Sequence, residues 1–336
     1  MNNTHTKKSC VIPPRWRIRL HSWLGATLTL PLILIALSGA GLAFAKEFER
    51  VLAPDLWTVS AVGEGQRMNL NSVIDHVHQW RPHDELLSLN MPERPQDTVM
   101  ATVKGPEGQV FELFIDPYRK ILVGERPANH DTVYWLGSIH RSLSSGPIGA
   151  VLVALSSIGV ILLFLLGQWY RRGQRYQQGS EPVVSVHGRL VYLAAWVWLI
   201  CASTGLFAQI TDQSLNSFAP PDGRLFASMP RDTLSCTGAQ MDMIWWQTDG
   251  RSLARCMAPG SFGPFGTRYS NGKQDAISLA FKDWLAAFHT GSVMGIGGRA
   301  IWFWGVILLP VTLLSGLLLG YKRSRPRSVS VPSNPK

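Results

Sequence analysis

The sequence predicts a membrane α-helical protein with four transmembrane helices in two parallel repeats, carrying an α+β domain on the outer side. Three observations predict this. The chain of 336 residues is 46% hydrophobic and only 16% charged, which is too apolar for a soluble domain of that length. Four uncharged runs, 20–45, 142–170, 190–211 and 300–321, each reach the roughly 20 residues that cross about 30 Å of hydrocarbon. The charge is also sorted along the chain. Segments 1–20, 171–189 and 322–336 carry 14 basic residues against 1 acidic, and the remainder carries 18 against 21.

Lysine and arginine beside helix ends mark the cytoplasmic side of a membrane. Both termini are therefore expected inside, and the two long segments between spans outside. The predicted order is a basic tail 1–19, a first span 20–45, an outer domain 46–139, a second span 140–170, an inner loop 171–189, a third span 190–211, a second outer domain 212–288, a fourth span 289–321 and a basic tail 322–336. The net charge of +10 follows this topology, so no nucleic-acid partner is expected. The first span begins like a signal peptide, but its apolar run is far longer than the 7–15 residues of a signal core. Cys236 and Cys256 fall in the second outer segment, where an oxidising compartment favours a disulfide. Cys10 is on the reducing side, and Cys201 lies within the third span.

The spans repeat. His21 is followed eighteen positions on by Gly39, after Ser38, and His187 eighteen on by Gly205, after Thr204. His140 is followed at +6, +9 and +27 by Gly146, Gly149 and Gly167, and His289 at the same offsets by Gly295, Gly298 and Gly316. Two units in one orientation are parallel repeats related by an axis along the membrane normal. The run Ser144-Ser145-Gly146-Pro147 is a point where the second span can break, leaving His140 on a separate interfacial helix.

These histidines are the candidate site. His21 and His187 lie at the inner boundary, and His140 and His289 at the outer one. An imidazole at a bilayer edge is a functional candidate by default. Two imidazoles at one depth match the axial ligand set of a haem iron, so the pattern predicts two haem b groups, one held by His21 and His187, the other by His140 and His289. Two histidines per level are too few for a closed zinc site. Haem propionates want basic partners, and Arg19, Arg189 and Arg141 adjoin the histidines, with Arg299 ten positions past His289. Trp16, Trp23, Trp302 and Trp304 are further candidates for packing on the macrocycles, or interfacial residues. His76 and His78 are two apart on one predicted helix and do not face each other.

In the first outer domain, a helix over 69–80 is followed by alternating strands over 98–103, 109–115 and from 121. Phe114-Ile115-Asp116-Pro117-Tyr118 with Leu122-Val123-Gly124-Glu125 resembles the PepSY module. Leu20-His21-Ser22-Trp23-Leu24-Gly25, Ile139-His140-Arg141-Ser142-Leu143, the glycines after His289 and Leu313-Leu314-Ser315-Gly316-Leu317-Leu318 extend the resemblance to the PepSY-associated transmembrane family of iron-regulated inner-membrane proteins, over about residues 15–325. That family includes ferric-siderophore reductases whose haems are bound by histidines on these helices. The resemblance implies a bacterial inner-membrane location, a periplasmic outer domain and a ferric siderophore as electron acceptor. The second outer segment is not a clear PepSY copy, and Trp245, Trp246 and Arg268 are its candidate chelate contacts.

No dinucleotide fingerprint is present, because Gly295-Ile296-Gly297-Gly298 opens a membrane helix. A quinol or a separate cytoplasmic reductase is the expected donor. The alternative reading is a membrane-anchored binding or regulatory protein without redox activity. A transporter gains no support from spans that lack a carboxylate.

Overall fold

The computed structural model describes residues 15–59, 67–92, 94–129, 131–174, 182–211, 227–228, 236, 240–247, 249, 251–258, 267–270 and 281–324. His5, His130, Cys10 and parts of the predicted tails, inner loop and second outer segment lie outside the described residues. In chain order the elements are α1 (Arg15–Ala43), α2 (Ala45–Leu52), α3 (Pro54–Trp57), α4 (Leu70–Trp80), β1 (Glu85–Asn90), β2 (Val99–Lys104), β3 (Val110–Asp116), β4 (Ile121–Pro127), α5 (Thr132–Ser142), α6 (Gly146–Gln174), α7 (Pro182–Thr211), β5 (Ala227–Ser228), β6 (Gln240–Trp246), β7 (Arg251–Met257), β8 (Thr267–Ser270), α8 (Phe281–Thr290), a 3-10 turn (Ser292–Met294) and α9 (Gly295–Ser324).

Four helices, α1, α6, α7 and α9, are long and apolar enough to cross a membrane. They form a ring in which α1 and α7 each pack against both α6 and α9. The contact core is Leu32, Val160, Ala194, Ala195, Val197, Trp198, Ala202, Trp302 and Leu313. Large apolar side chains point away from it, among them Leu30, Ile148, Leu193, Ile210 and Leu318. An outward apolar surface of that extent needs lipid around it. Inside the spans, hydroxyls satisfy themselves on their own helix: Thr29, Ser156, Thr204 and Thr312 each donate to the carbonyl four residues back. That keeps these four hydroxyl donors paired within hydrocarbon.

The outer segments build one mainly antiparallel sheet in the order β4-β3-β2-β1-β6-β7-β5, with β8 on β7. Two separate outer domains were expected; instead β6 pairs with β1 through Ser88↔Trp245, Leu89↔Ile244 and Asn90↔Met243. The reason is the edge of β1, which carries unpaired backbone groups unless another strand covers it. The helix over 69–80 is α4, capped by Asn69, whose side chain accepts from the Ser72 amide at 2.8 Å. Its stripe Val73, Ile74 and Val77 packs on Leu89, Val99, Val103, Leu113 and Ile115. On the opposite sheet face Phe114 meets Trp57, ring centroids 5.4 Å apart. The Asp116-Pro117-Tyr118 turn is held by Asp116 Oδ1, which accepts from the amides of Tyr118 and Arg119. Cys236 and Cys256 are disulfide-bonded, with Cα atoms 5.6 Å apart.

Candidate functional site

The second and fourth spans do not begin at the histidines. His140 lies on α5 and His289 on α8, short helices set off from α6 and α9. The breaks have a backbone cause. Leu143 and Ser144 adopt positive φ, and Gly146 and Gly295 sit at φ 57° and 65°, a conformation in which glycine carries no Cβ penalty. The +9 glycines then lie directly beneath the turn. A Cβ on Gly149 would fall 1.6 Å from the Ser142 carbonyl oxygen, and one on Gly298 2.2 Å from that of Gly291. Each carbonyl is two residues past its histidine.

The +18 and +27 glycines receive the imidazoles. Each histidine ring edge meets one glycine of a neighbouring helix: His21 meets Gly167, His140 meets Gly39, His187 meets Gly316 and His289 meets Gly205. A Cβ on Gly39 would stand 2.6 Å from His140 Cε1, and those on Gly205 and Gly316 would stand 3.2 and 3.3 Å from their rings. Gly167 is looser, at 3.5 Å.

The histidines meet in pairs, inner with inner and outer with outer. His21 and His187 have ring centroids 6.5 Å apart, and His140 and His289 5.8 Å. An imidazole nitrogen bonds a metal at about 2 Å, and the ring centre lies about 1 Å behind it, so two axial imidazoles on one iron have centroids about 6 Å apart. Both pairs fit that spacing. From His21 to Gly39 along α1, and from His187 to Gly205 along α7, is eighteen residues, which sets the two levels about 27 Å apart.

Hydrogen bonds orient the rings. His140 Nδ1 lies 2.9 Å from the Ile35 carbonyl. His187 Nδ1 lies 3.1 Å from the Thr312 carbonyl and 2.9 Å from the Ser315 hydroxyl. His289 Nδ1 lies 2.9 Å from the Thr204 hydroxyl. Ser315 and Thr204 donate their own protons to backbone carbonyls, so they accept from the imidazoles. A carbonyl can only accept, so Nδ1 carries the proton in His140 and His187 as well. Nε2 then keeps its lone pair, the arrangement that metal-binding histidines need. Among the described residues no group of three or more His, Cys, Asp or Glu is gathered to hold a metal ion. Two ligands per level suit haem, not zinc.

The expected propionate partners are placed less favourably. Arg19, Arg189 and Arg141 are exposed, with the Arg141 guanidinium folded back toward Gly137 on its own helix. Arg299 is engaged with the Ala43 carbonyl and Glu47. Arg17 was missed: it lies one helical turn before His21, its guanidinium carbon is 3.4 Å from the centre of the Trp169 ring, and its buried Nε has no hydrogen-bond partner. The i,i+4 spacing to His21 was the available signal. An orphaned guanidinium donor one helical turn from His21 suits a carboxylate. Trp16, Trp23 and Trp304 are exposed, while Trp302 is buried in the bundle. Trp245 is buried in the sheet against Tyr269, so it is no surface contact for a chelate; Trp246 is partly buried and packs on the core. The Arg268 side chain lies outside the described residues.

A comparison with curated proteins gave no match. The family model for the PepSY-associated TM region matches residues 18–323, a stretch that includes all four spans, the sheet and the four paired histidines. The chain therefore belongs to the PepSY-associated TM region family.

Proposed function

We propose that this protein is a dihaem b-type reductase of the bacterial inner membrane, passing electrons outward to reduce ferric iron held in a siderophore in the periplasm. The observation that carries the reading is the pairing of four histidines into two levels at axial-ligand spacing, with Nδ1 of His140, His187 and His289 each held by a carbonyl or hydroxyl oxygen. His21 and His187 would hold the inner haem, and His140 and His289 the outer one. When bound, haem supplies a one-electron iron couple whose potential its surroundings tune. The chain positions the ligands through Gly39, Gly205 and Gly316, fixes their tautomers through Ile35, Thr312, Ser315 and Thr204, and surrounds them with apolar helices that exclude water. Arg17 would neutralise a propionate at the inner level.

The basic segments support a topology with both termini in the cytoplasm and the sheet in the periplasm. The two halves are read as parallel repeats, since each contributes one histidine to each level. A quinol or a cytoplasmic reductase supplies the electrons. The sheet lies on the side of His140 and His289, so a bulky ferric chelate meets the outer level.

The purified protein should be red, with reducible b-type bands and two haems per chain by pyridine haemochrome. His21→Ala and His140→Ala should each leave one. In pre-reduced membranes a ferric siderophore should reoxidise both haems, and His140→Ala should stop delivery to the chelate while the inner haem stays reducible. A colourless protein would favour a binding or regulatory role. Stable reduced haem with every ferric chelate would point to another acceptor.

A further inference from the structure

Arg126 on β4 joins three carboxylates from three elements. Its Nη1 reaches Glu49 on α2 at 2.5 Å, its Nε reaches Glu112 on β3 at 2.8 Å, and its Nη2 reaches Asp131 at 3.0 Å. All four side chains are largely buried. Glu49 also accepts from Trp57 Nε1. Asp131 caps α5 by accepting from the Tyr134 amide.

The two outer arms of this cluster converge on one place. Asp131 lies nine residues before His140, on the cap of the helix that carries it. Glu49 lies ten residues after Gly39, on the helix that continues the span presenting Gly39 and Ile35. Gly39 receives the His140 ring, and the Ile35 carbonyl takes its Nδ1 proton. One guanidinium therefore ties the element bearing the ligand to the element bearing its socket, and ties both to the sheet, since Arg126 lies on β4. Among the described residues nothing comparable links the sheet to the inner level, which lies about 27 Å from the outer one along the spans.

Arg126 sits in a costly position. Burial pushes the Glu112 and Asp131 carboxyls up against the opposing pull of the guanidinium. Removing the cation leaves up to three carboxylates partly buried without their partner, the case in which a broken buried ion pair is most disruptive. The two arms would then separate or take up protons.

We infer that Arg126 is the positioning residue of the outer histidine site, and that the outer domain sets the properties of that site through it. The inference rests on the outer pair being haem ligands. Any partner that displaces β4 or the α5 cap would move His140 against its socket, so events on the sheet are transmitted to the outer level and not to the inner one.

The test is a potentiometric titration of the full-length protein in nanodiscs, resolving the two haems by their optical bands, with thermal unfolding measured alongside. Asp131→Asn keeps a competent helix cap, since asparagine caps as well as aspartate, but removes the charge that Arg126 holds. It should shift the midpoint of the outer haem alone. Arg126→Gln should shift it further or lose that haem, and Arg126→Lys should fall between. Glu112→Gln removes one cross-strand contact within the sheet but leaves Arg126 on β4 and its bridge to Glu49 and Asp131, so it should leave the outer midpoint near wild type even if it lowers the melting temperature. Unchanged midpoints in Asp131→Asn, or equal shifts at both levels, overturn the inference while leaving the cytochrome reading intact. Should Arg126→Gln fail to fold, Asp131→Asn against Glu112→Gln still decides. Wild-type protein without haem overturns the cytochrome reading and the inference with it.

Discussion

At the residue scale, a glycine offset can be read as a requirement only after its neighbour is known. The +6, +9, +18 and +27 glycines look alike in the sequence, but they serve three purposes: a left-handed turn at Gly146 and Gly295, backbone contact at Gly149 and Gly298, and an imidazole socket at Gly39, Gly167, Gly205 and Gly316. The sockets differ in tightness, and this gives a graded prediction. Gly39→Ala puts a methyl 2.6 Å from His140 Cε1, whereas Gly167→Ala puts one at an ordinary 3.5 Å from His21 Cε1. Gly39→Ala should cost the outer haem about tenfold or more in retention, comparable to losing a partner that orients a metal ligand. Gly167→Ala should keep the inner haem. Haem content after dialysis against apomyoglobin checks both; equal retention would reject the socket role. The four histidines themselves were legible from depth and repeat position, because helical rise converts sequence distance into depth. The tautomers were not, because they depend on Ile35, Thr204, Thr312 and Ser315, each at least 85 positions away from its histidine.

At the scale of elements, periodicity served well where one element makes its own pattern. The α4 helix starts at its Asn69 cap and buries Val73, Ile74 and Val77 at helical spacing. Its role is to cover the sheet, and it carries none of the four paired histidines. Asn69→Ala should therefore cost about 1 kcal/mol of outer-domain stability, the usual value of a lost N-cap, measured by denaturant unfolding, with both haem spectra unchanged. A spectral change would mean that α4 couples to the bundle. The break that sets α5 apart was legible at Ser144-Ser145-Gly146-Pro147, whereas α8 was harder to foresee. Each lies next to a span with no charged interruption, and only the backbone reversal at Leu143–Ser144 and at Gly291 separates them. The reversal turns the histidine helix over the end of its own span, and that is what lets His140 reach α1 and His289 reach α7.

At the scale of the whole molecule, the sheet stands on one end of a four-helix bundle, and Arg17, Arg19, Arg189 and Lys322 lie toward the other end. A membrane-impermeant thiol reagent should therefore label Glu107→Cys, on the exposed turn between β2 and β3, in cells with a permeable outer membrane. It should not label Lys322→Cys, at the end of α9, until the inner membrane is opened. Labelling of Lys322→Cys in intact cells would invert the proposed direction of electron flow.

The sequence alone determined the number of spans, the side on which each end of the bundle carries basic charge, the strands of the first outer segment and the pairing of histidines by depth. These follow from local hydrophobicity, helical rise and repeat offset, and none requires knowledge of what packs against what. Only the tertiary structure decided that the second outer segment joins the same sheet, that Trp245 is interior, that Arg17 packs on Trp169 while Arg19 is exposed, and that Arg126 binds the arms around His140. Each of these depends on contacts between residues that are far apart in the chain, or on which way a side chain turns once its helix is packed. Strand pairing, burial and buried ion pairs are properties of the assembled fold, and no stretch of sequence carries them by itself.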